Sequence, residues 1–369
     1  MDRKLRIGVI GAGGILKPHS EGYRLAADKC EVVAVSKRNI DAESQAWING
    51  LLGRETPVYA DYRELLARGD IDAVDIITPH DLHMPMTIDA AAAGKHVLVE
   101  KVMARNIYEC DRMIAACADA GVSLYVCHDR RYLAAWAAIK ELIDSGALGE
   151  IFYAKLEHNQ NVVLPEGHWI RSYDQLGGGA LMSCLTHQID ALRWLCGEVK
   201  DIACMTKTLP GRMEGETAAV MTAAMASGAL ANLSINWFTT TNAAPGLFCE
   251  LIHICGDRGE VYYTSEGGAY YKVYNPGEKV SGSYRFDIQP DDSGFMKITP
   301  RDNTGGIARC VAQWVDTLYG GGGGMLTPGG DSRRTVEVAE AAYRSFYTKR
   351  FVTLPIEAEP WRNTVCYRL

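Results

Sequence analysis

Apolar positions in the first third of the chain fall in short unbroken runs rather than in polar–apolar alternation. Residues 6–10, 31–36, 73–77, 97–100 and 123–126 each read as a strand buried on both faces. Helical spacing fills the intervals: residues 16–27, a segment after Asp41, a short piece capped by Asp61, a segment ending at Gly94, and 107–120 stopped by Gly121. This alternation predicts an α/β unit over residues 1–126, a doubly wound parallel sheet of Rossmann type. Ligands of such sheets sit beyond the carboxyl ends of the strands. The run 97–100 ends at that edge in Glu100 and Lys101.

The pattern changes after Gly149. A helix over 176–195 precedes strands near 200–208, 217–225, 229–237, 250–256, 260–264 and 269–273, several joined by short hairpin connections such as ASGA and GDRG. A second, α+β domain over residues 127–369 is expected, built on a large, mostly antiparallel open sheet. Late helices near 303–318 and 332–347 pack on that sheet or return to the first domain. The glycine-rich run 320–331 reads as a flexible surface loop.

Composition narrows the function classes. The 369 residues are 47% hydrophobic and 22% charged with net charge −7, and no cluster of Lys and Arg offers a surface for nucleic acid. No run approaches the ~20 apolar residues of a membrane span, so no membrane partner is expected. The apolar run at the start is short and glycine-broken, unlike a signal peptide. Eleven cysteines are scattered without a C-x-x-C pair, as reduced thiols of a cytoplasmic protein. Cys249 and Cys255 are expected in a buried strand. His80 and His83 in HDLH lack a third ligand placed by sequence, so no metal site is expected.

The stretch RIGVIGAGGILKPH places Gly11, Gly13 and Gly14 between the first strand and first helix. A tight turn there lets backbone approach a pyrophosphate, and the helix N-terminus meets it with free N–H groups. Leu16 stands at the usual third small position, which predicts looser helix–strand packing. An NAD site calls for an acid at the end of the second strand. Here the strand runs into Ser36, Lys37 and Arg38, a hydroxyl and two cations suited to a 2′-phosphate, so NADP is favoured over NAD. Asp41 is the acid that can swing back to serve NAD.

Several stretches together resemble the glucose–fructose oxidoreductase / inositol dehydrogenase / rhizopine catabolism (Gfo/Idh/MocA) family. They are IGVIGAGGI, TPHDLHMPMTIDAAAAGKHVLVEKVMA, the DRRY of residues 129–132, GGGALMSCLTHQIDALRWLCG, and the tail VEVAEAAYRSFYTKRFVTLP. The resemblance implies a cofactor-binding set of Gly11, Gly13, Gly14, Ile15, Ser36, Lys37, Arg38, Thr78, Pro79, His83, Glu100 and Lys101. It implies Lys101 beside the nicotinamide and His187 facing it from the second domain as the catalytic pair. Substrate contacts are expected from Ser183, His187, His168, Arg171 and Asp190. Asp190, one turn after His187, would orient its ring. Two positions depart from the family. Val102 replaces the proline after the lysine, so the backbone aiming Lys101 is expected to differ. Ser183 replaces the aspartate four residues before the histidine, so the anionic member of a proton relay is missing.

The expected activity is NAD(P)-dependent hydride transfer at a carbinol of a sugar, sugar acid or cyclitol. His187 serves as acid/base and Lys101 as electrostatic and positioning group. Two alternatives stay open: a glycosidase-like enzyme using transient oxidation and elimination, and a non-enzymatic sugar or cofactor sensor. The second sheet needs cover on both faces, which the resemblance supplies as a homodimer or homotetramer.

Overall fold

A computed structural model describes residues 3–239, 249–274, 294–300, 302, 304–321 and 323–358. The first unit alternates β1 (Leu5–Ile10), α1 (Leu16–Leu25), β2 (Cys30–Ser36), α2 (Ala42–Leu52), β3 (Val58–Tyr59), α3 (Tyr62–Leu66), β4 (Ala73–Ile76), α4 (His80–Ala92), β5 (His96–Glu100), α5 (Ile107–Asp119) and β6 (Leu124–Cys127). The strands form one parallel sheet in the order β3-β2-β1-β4-β5-β6. The chain reverses direction across the sheet between β1 and β4, which opens a crevice above their carboxyl ends. Asp61 caps α3 as expected, accepting from Arg63 N.

A 3₁₀ turn (Asp129–Tyr132) leads into α6 (Ala134–Asp144), β7 (Ile151–Asn159), α7 (Tyr173–Leu176), a π turn (Leu181–Leu185) and α8 (Thr186–Cys196). Strands β8 (Val199–Lys207), β9 (Ala218–Met225), β10 (Leu230–Asn236), β11 (Glu250–Gly256), β12 (Gly259–Thr264), β13 (Gly268–Val273) and β14 (Met296–Ile298) follow. The described chain closes with α9 (Gly306–Tyr319), α10 (Gly329–Thr348) and β15 (Val352–Thr353). The second sheet runs β14-β13-β12-β11-β7-β10-β9-β8-β15. It is antiparallel except where β7 pairs parallel with β10. Central β7 carries Lys155, Glu157 and His158 among its apolar positions, which hid it from a reading of apolar runs.

Three expectations change. The single helix over 176–195 is broken: α7 ends at Leu176, Gly177 adopts φ +89°, and the chain restarts through the π turn. The glycine run is not a free loop. Val126 N donates to Thr327 O, Thr327 Oγ1 donates back to Val126 O, and α10 already begins at Gly329. Residue 303, the expected start of a late helix, lies outside the described residues, and α9 starts at Gly306.

The late helices tie the ends of the chain together. Helix α9 lies on α1 at Gly22, where an added Cβ would stand 2.5 Å from Val311 Cβ. This close approach is between two helices, and Leu16 is fully buried in the same core as Trp314. Helix α10 packs on β8, α5 and α8. A second core runs unbroken from the opposite face of the first sheet through Trp136 and Leu181 to Ile252 in the second. Among the described residues no helix is long and apolar enough to cross a membrane.

Candidate active site

The turn after β1 is shaped for an anionic ligand. Gly11 takes φ +105° and a Cβ there would meet Ile77 O at 2.5 Å, so no side chain fits. Gly13 and Gly14 have nothing within 4 Å of such an atom. Their backbone faces open space beside the half-exposed Ile15. Helix α1 starts here without a side-chain cap; Leu16 N and Lys17 N donate to Gly13 O and Gly14 O, so the positive end of the helix points at the glycine turn through that tight first turn. These features fit a dinucleotide pyrophosphate. At the end of β2, Ser36 is buried and its carbonyl accepts from Gly11 N at 2.9 Å. Lys37 is half-buried, and Arg38 is exposed with no ion pair among the described residues. Asp41 caps α2, its Oδ1 accepting from Ser44 N at 2.7 Å.

The loop after β4 behaves differently from its expected role. Thr78 Oγ1 points to Met86 Sδ at 3.6 Å, and Pro79 caps α4. His83 is fully buried, with Nδ1 2.9 Å from Val102 O and Nε2 2.9 Å from Thr78 O. Both ring nitrogens face backbone carbonyls, and the ring, which burial holds neutral, donates to one of them, so His83 packs between the β4 loop and the turn carrying Lys101. The Lys101–Val102 peptide is cis.

Glu100 and Lys101 end β5 with divided tasks. Lys101 crosses to the second unit, where Nζ donates to Ser183 O at 3.0 Å. Glu100 stays beneath: Oε2 accepts from Lys101 N at 3.0 Å and Oε1 meets His19 Nε2 at 3.0 Å. His19 Nδ1 lies 2.6 Å from Asp75 Oδ2, which also accepts from the Tyr23 hydroxyl. Burial works against a charged His19 ring, but Asp75, then Cys127 and Glu100, outweigh it and hold the imidazole well above its usual range. Burial likewise opposes ionisation of Glu100, and His19 overcomes it. Glu100 is thus a buried support under Lys101, not a cofactor contact. His19 and Asp75 were not singled out by sequence. Their signal is two polar residues inside an otherwise apolar helix face and strand.

Ser183 lies in the π turn, a rare geometry often found at functional sites. It offers Lys101 its main-chain carbonyl rather than its hydroxyl. His187 follows in the first turn of α8, and its Nδ1 stands 3.3 Å from Asp129 Oδ1, off the line of a hydrogen bond. Burial, then Arg130 and Lys101, push His187 well below its usual range, so its ring is neutral at pH 7. Burial raises the Asp129 carboxyl, against the pull of Arg130. Arg130 Nε donates to Glu250 at 2.8 Å. Asp129 is a site residue that sequence reasoning missed, although the DRRY stretch containing it was marked.

Asp190 does not orient His187. Its oxygens accept from Arg131 at 2.8 and 2.7 Å and from Thr335 at 3.1 Å, an internal ion pair that anchors α8 to α10. His168 and Arg171 line a cleft of about 460 Å³ with Ser172, Gln175 and Glu214, and neither Lys101 nor His187 borders it. The cleft still adjoins the site, because Trp169 stacks on His168 and edges onto His80 at 4.9 Å between ring centroids.

The doubly wound sheet and its glycine turn define a dinucleotide-binding oxidoreductase architecture, with Lys101 reaching the turn that precedes His187. Residues 5–128 match the family model described as an oxidoreductase family with NAD-binding Rossmann fold, and residues 136–262 match the GFO/IDH/MocA C-terminal domain. The chain belongs to the GFO/IDH/MocA family of oxidoreductases. It is 33% identical over 196 residues to an inositol 2-dehydrogenase of Klebsiella pneumoniae, covering 53% of this chain and 55% of that one. It is 26% identical over 298 residues to a D-apiose dehydrogenase of Rhizobium rhizogenes, covering 80% and 83%. Several curated relatives are thus matched over only about half their length. Among solved structures, the WlbA dehydrogenase of Bordetella pertussis in complex with NADH and UDP-GlcNAcA superposes with TM-score 0.77 at 25% identity, over 96% of this chain and all of that one.

Proposed function

We propose that the protein is an NAD(P)-dependent dehydrogenase acting on a secondary carbinol of a sugar, sugar acid or cyclitol. One observation supports the reading: Lys101, from the end of a first-sheet strand, donates to Ser183 O in the turn that feeds His187, near enough for its charge to help lower the imidazole pKa. A bound nicotinamide would supply the hydride acceptor or donor. Gly11, Gly13, Gly14 and the start of α1 would hold its pyrophosphate.

The protein's own part is proton handling and positioning. With Nδ1 beside Asp129, His187 keeps its proton on that nitrogen and offers the Nε2 lone pair to the substrate hydroxyl. Asp129 then stabilises the imidazolium that forms. Lys101 has three N–H donors. One is spent on Ser183 O, and the others can hold the carbinol oxygen as charge develops. Asp129 fills the anionic role absent at position 183.

NADP is the favoured cofactor in this reading, because Ser36, Lys37 and Arg38 end β2 without a carboxylate free to repel a 2′-phosphate. The outer face of the second sheet exposes Met205, Val220 and Leu230, which supports a homo-oligomer through that face. The test is a hydride-transfer screen of polyols, sugar acids and cyclitols with both nucleotides, using wild type, K101M and H187A. Turnover in wild type that falls in both variants supports the assignment; near-normal turnover in both overturns it. A K37A/R38A variant should raise KM for NADP and leave KM for NAD unchanged.

A further inference from the structure

Far from the crevice, the β11–β12 hairpin gathers three different metal-binding side chains on one face. His253 and Cys255 are two residues apart on β11, so they point the same way. Glu260 of β12 pairs directly opposite Cys255 in the ladder. Cys255 is half-buried on this face, not sealed in the sheet as the sequence suggested, and Cys249 is likewise half-buried.

The contacts converge on one atom. His253 Nε2 lies 2.7 Å from Glu260 Oε2 and 3.3 Å from Cys255 Sγ. A ring nitrogen carries one hydrogen or one in-plane lone pair, so it cannot serve both neighbours through good hydrogen bonds. A cation at the meeting point would serve all three. Zinc bonds of about 2.0–2.1 Å to nitrogen and about 2.3 Å to sulfur at tetrahedral angles put those ligand atoms about 3.5 Å apart. The observed separation of nitrogen and sulfur is 3.3 Å. The carboxylate would need to draw back from the ring by about 0.7 Å to reach its zinc-bound place.

Neighbours hold the ligands in place. Tyr274 donates its hydroxyl to the other oxygen of Glu260 at 3.2 Å, an outer hydrogen bond of the kind that orients metal-binding carboxylates. The ring of Tyr153 stands edge-on to His253 at 6.5 Å. Thiolate, imidazole and carboxylate together suit a borderline or soft divalent ion rather than magnesium or calcium.

We propose that His253, Cys255 and Glu260 form a binding site for zinc or a similar thiophilic divalent ion, with the fourth position unfilled by these three side chains. The site is separate from the dehydrogenase reading and stands or falls without it.

Cobalt(II) reports the site directly. Chelator-treated full-length protein is titrated with cobalt and followed by absorbance. The expected result is one equivalent bound per chain, with a near-ultraviolet thiolate-to-cobalt band that zinc displaces. Cys255→Ser should abolish the band. His253→Ala and Glu260→Gln should weaken binding by more than the roughly 10–100-fold expected for losing an outer partner, and Tyr274→Phe should fall within that range. No band in wild type overturns the proposal. So does a band that survives Cys255→Ser, because another cysteine then binds the ion. Circular dichroism of each metal-free variant reports folding, and the His253 and Glu260 variants decide independently if Cys255→Ser does not fold.

Discussion

Asp129 Oδ1 stands 3.3 Å from His187 Nδ1, although one follows the last strand of the first sheet and the other begins a helix on the second. The contact restores a negative charge to a site whose own helix has a serine where that charge is usual. Replacing Asp129 by Asn keeps the shape and removes the charge. We expect kcat to fall about 10²-fold, the lower end of the 10²–10⁴ typical of acid–base catalysis, while KM for the nucleotide holds. Steady-state kinetics in the oxidative direction checks this, and an unchanged kcat sinks the role.

The neutral state of His187 sets a pH dependence with a definite sign. Its folded pKa is well below the usual value, through burial first and then Arg130 and Lys101. A base that must be unprotonated then stays active into acid, and the acid limb of kcat/KM for oxidation lies below pH 6.5. Lys101→Met removes one of the cations responsible, so the limb should move up in pH as the rate falls. A limb that stays in place or moves down would separate the two residues.

His19 bridges two buried carboxylates, and this predicts a stability effect. His19→Ala leaves Asp75 and Glu100 buried without their cation. Breaking such a pair typically costs about 3–5 kcal/mol. Urea denaturation should register that loss, and adding Asp75→Asn should recover part of it. Equal stability of His19→Ala and wild type would show that the ring carries no charge.

Glu216 gives a second pH effect. Burial raises its carboxyl from 4.5 to about 7, against hydrogen bonds from Leu181 N and Tyr343. An acid whose folded pKa is raised favours the folded state while protonated. Its contribution is complete below pH 4.5 and is lost as pH rises through about 7. Each tenfold in proton affinity is worth about 1.4 kcal/mol, so the loss is on the order of 3 kcal/mol. Glu216→Gln mimics the protonated acid. Its melting temperature should exceed that of wild type at pH 8 and converge with it at pH 5; parallel curves would refute the effect.

The first sheet was legible because its strands are covered on both faces and carry unbroken apolar runs, as Val97–Val99 do. The same logic missed β7, whose charged side chains line one face of a sheet covered on the other. Lys101 and His187 stood out as candidates because each sits in a recognisable local stretch. Asp129 did not, since its role depends on a contact spanning 58 residues that no local pattern encodes. His83 and Asp190 show the reverse error: each lies where a site residue belongs, yet backbone carbonyls take up one and an arginine the other.

Gly22 bears on how this chain is made. The surface of α1 that it opens is filled by α9, nearly three hundred residues later, and Lys29 reaches Asp316 across the same seam at 2.8 Å. During synthesis the nucleotide-binding unit leaves the ribosome with that flank bare, and it stays bare until α9 has emerged. A fragment cut after residue 128 would keep its sheet yet expose an apolar seam, inviting aggregation where the intact chain closes on itself.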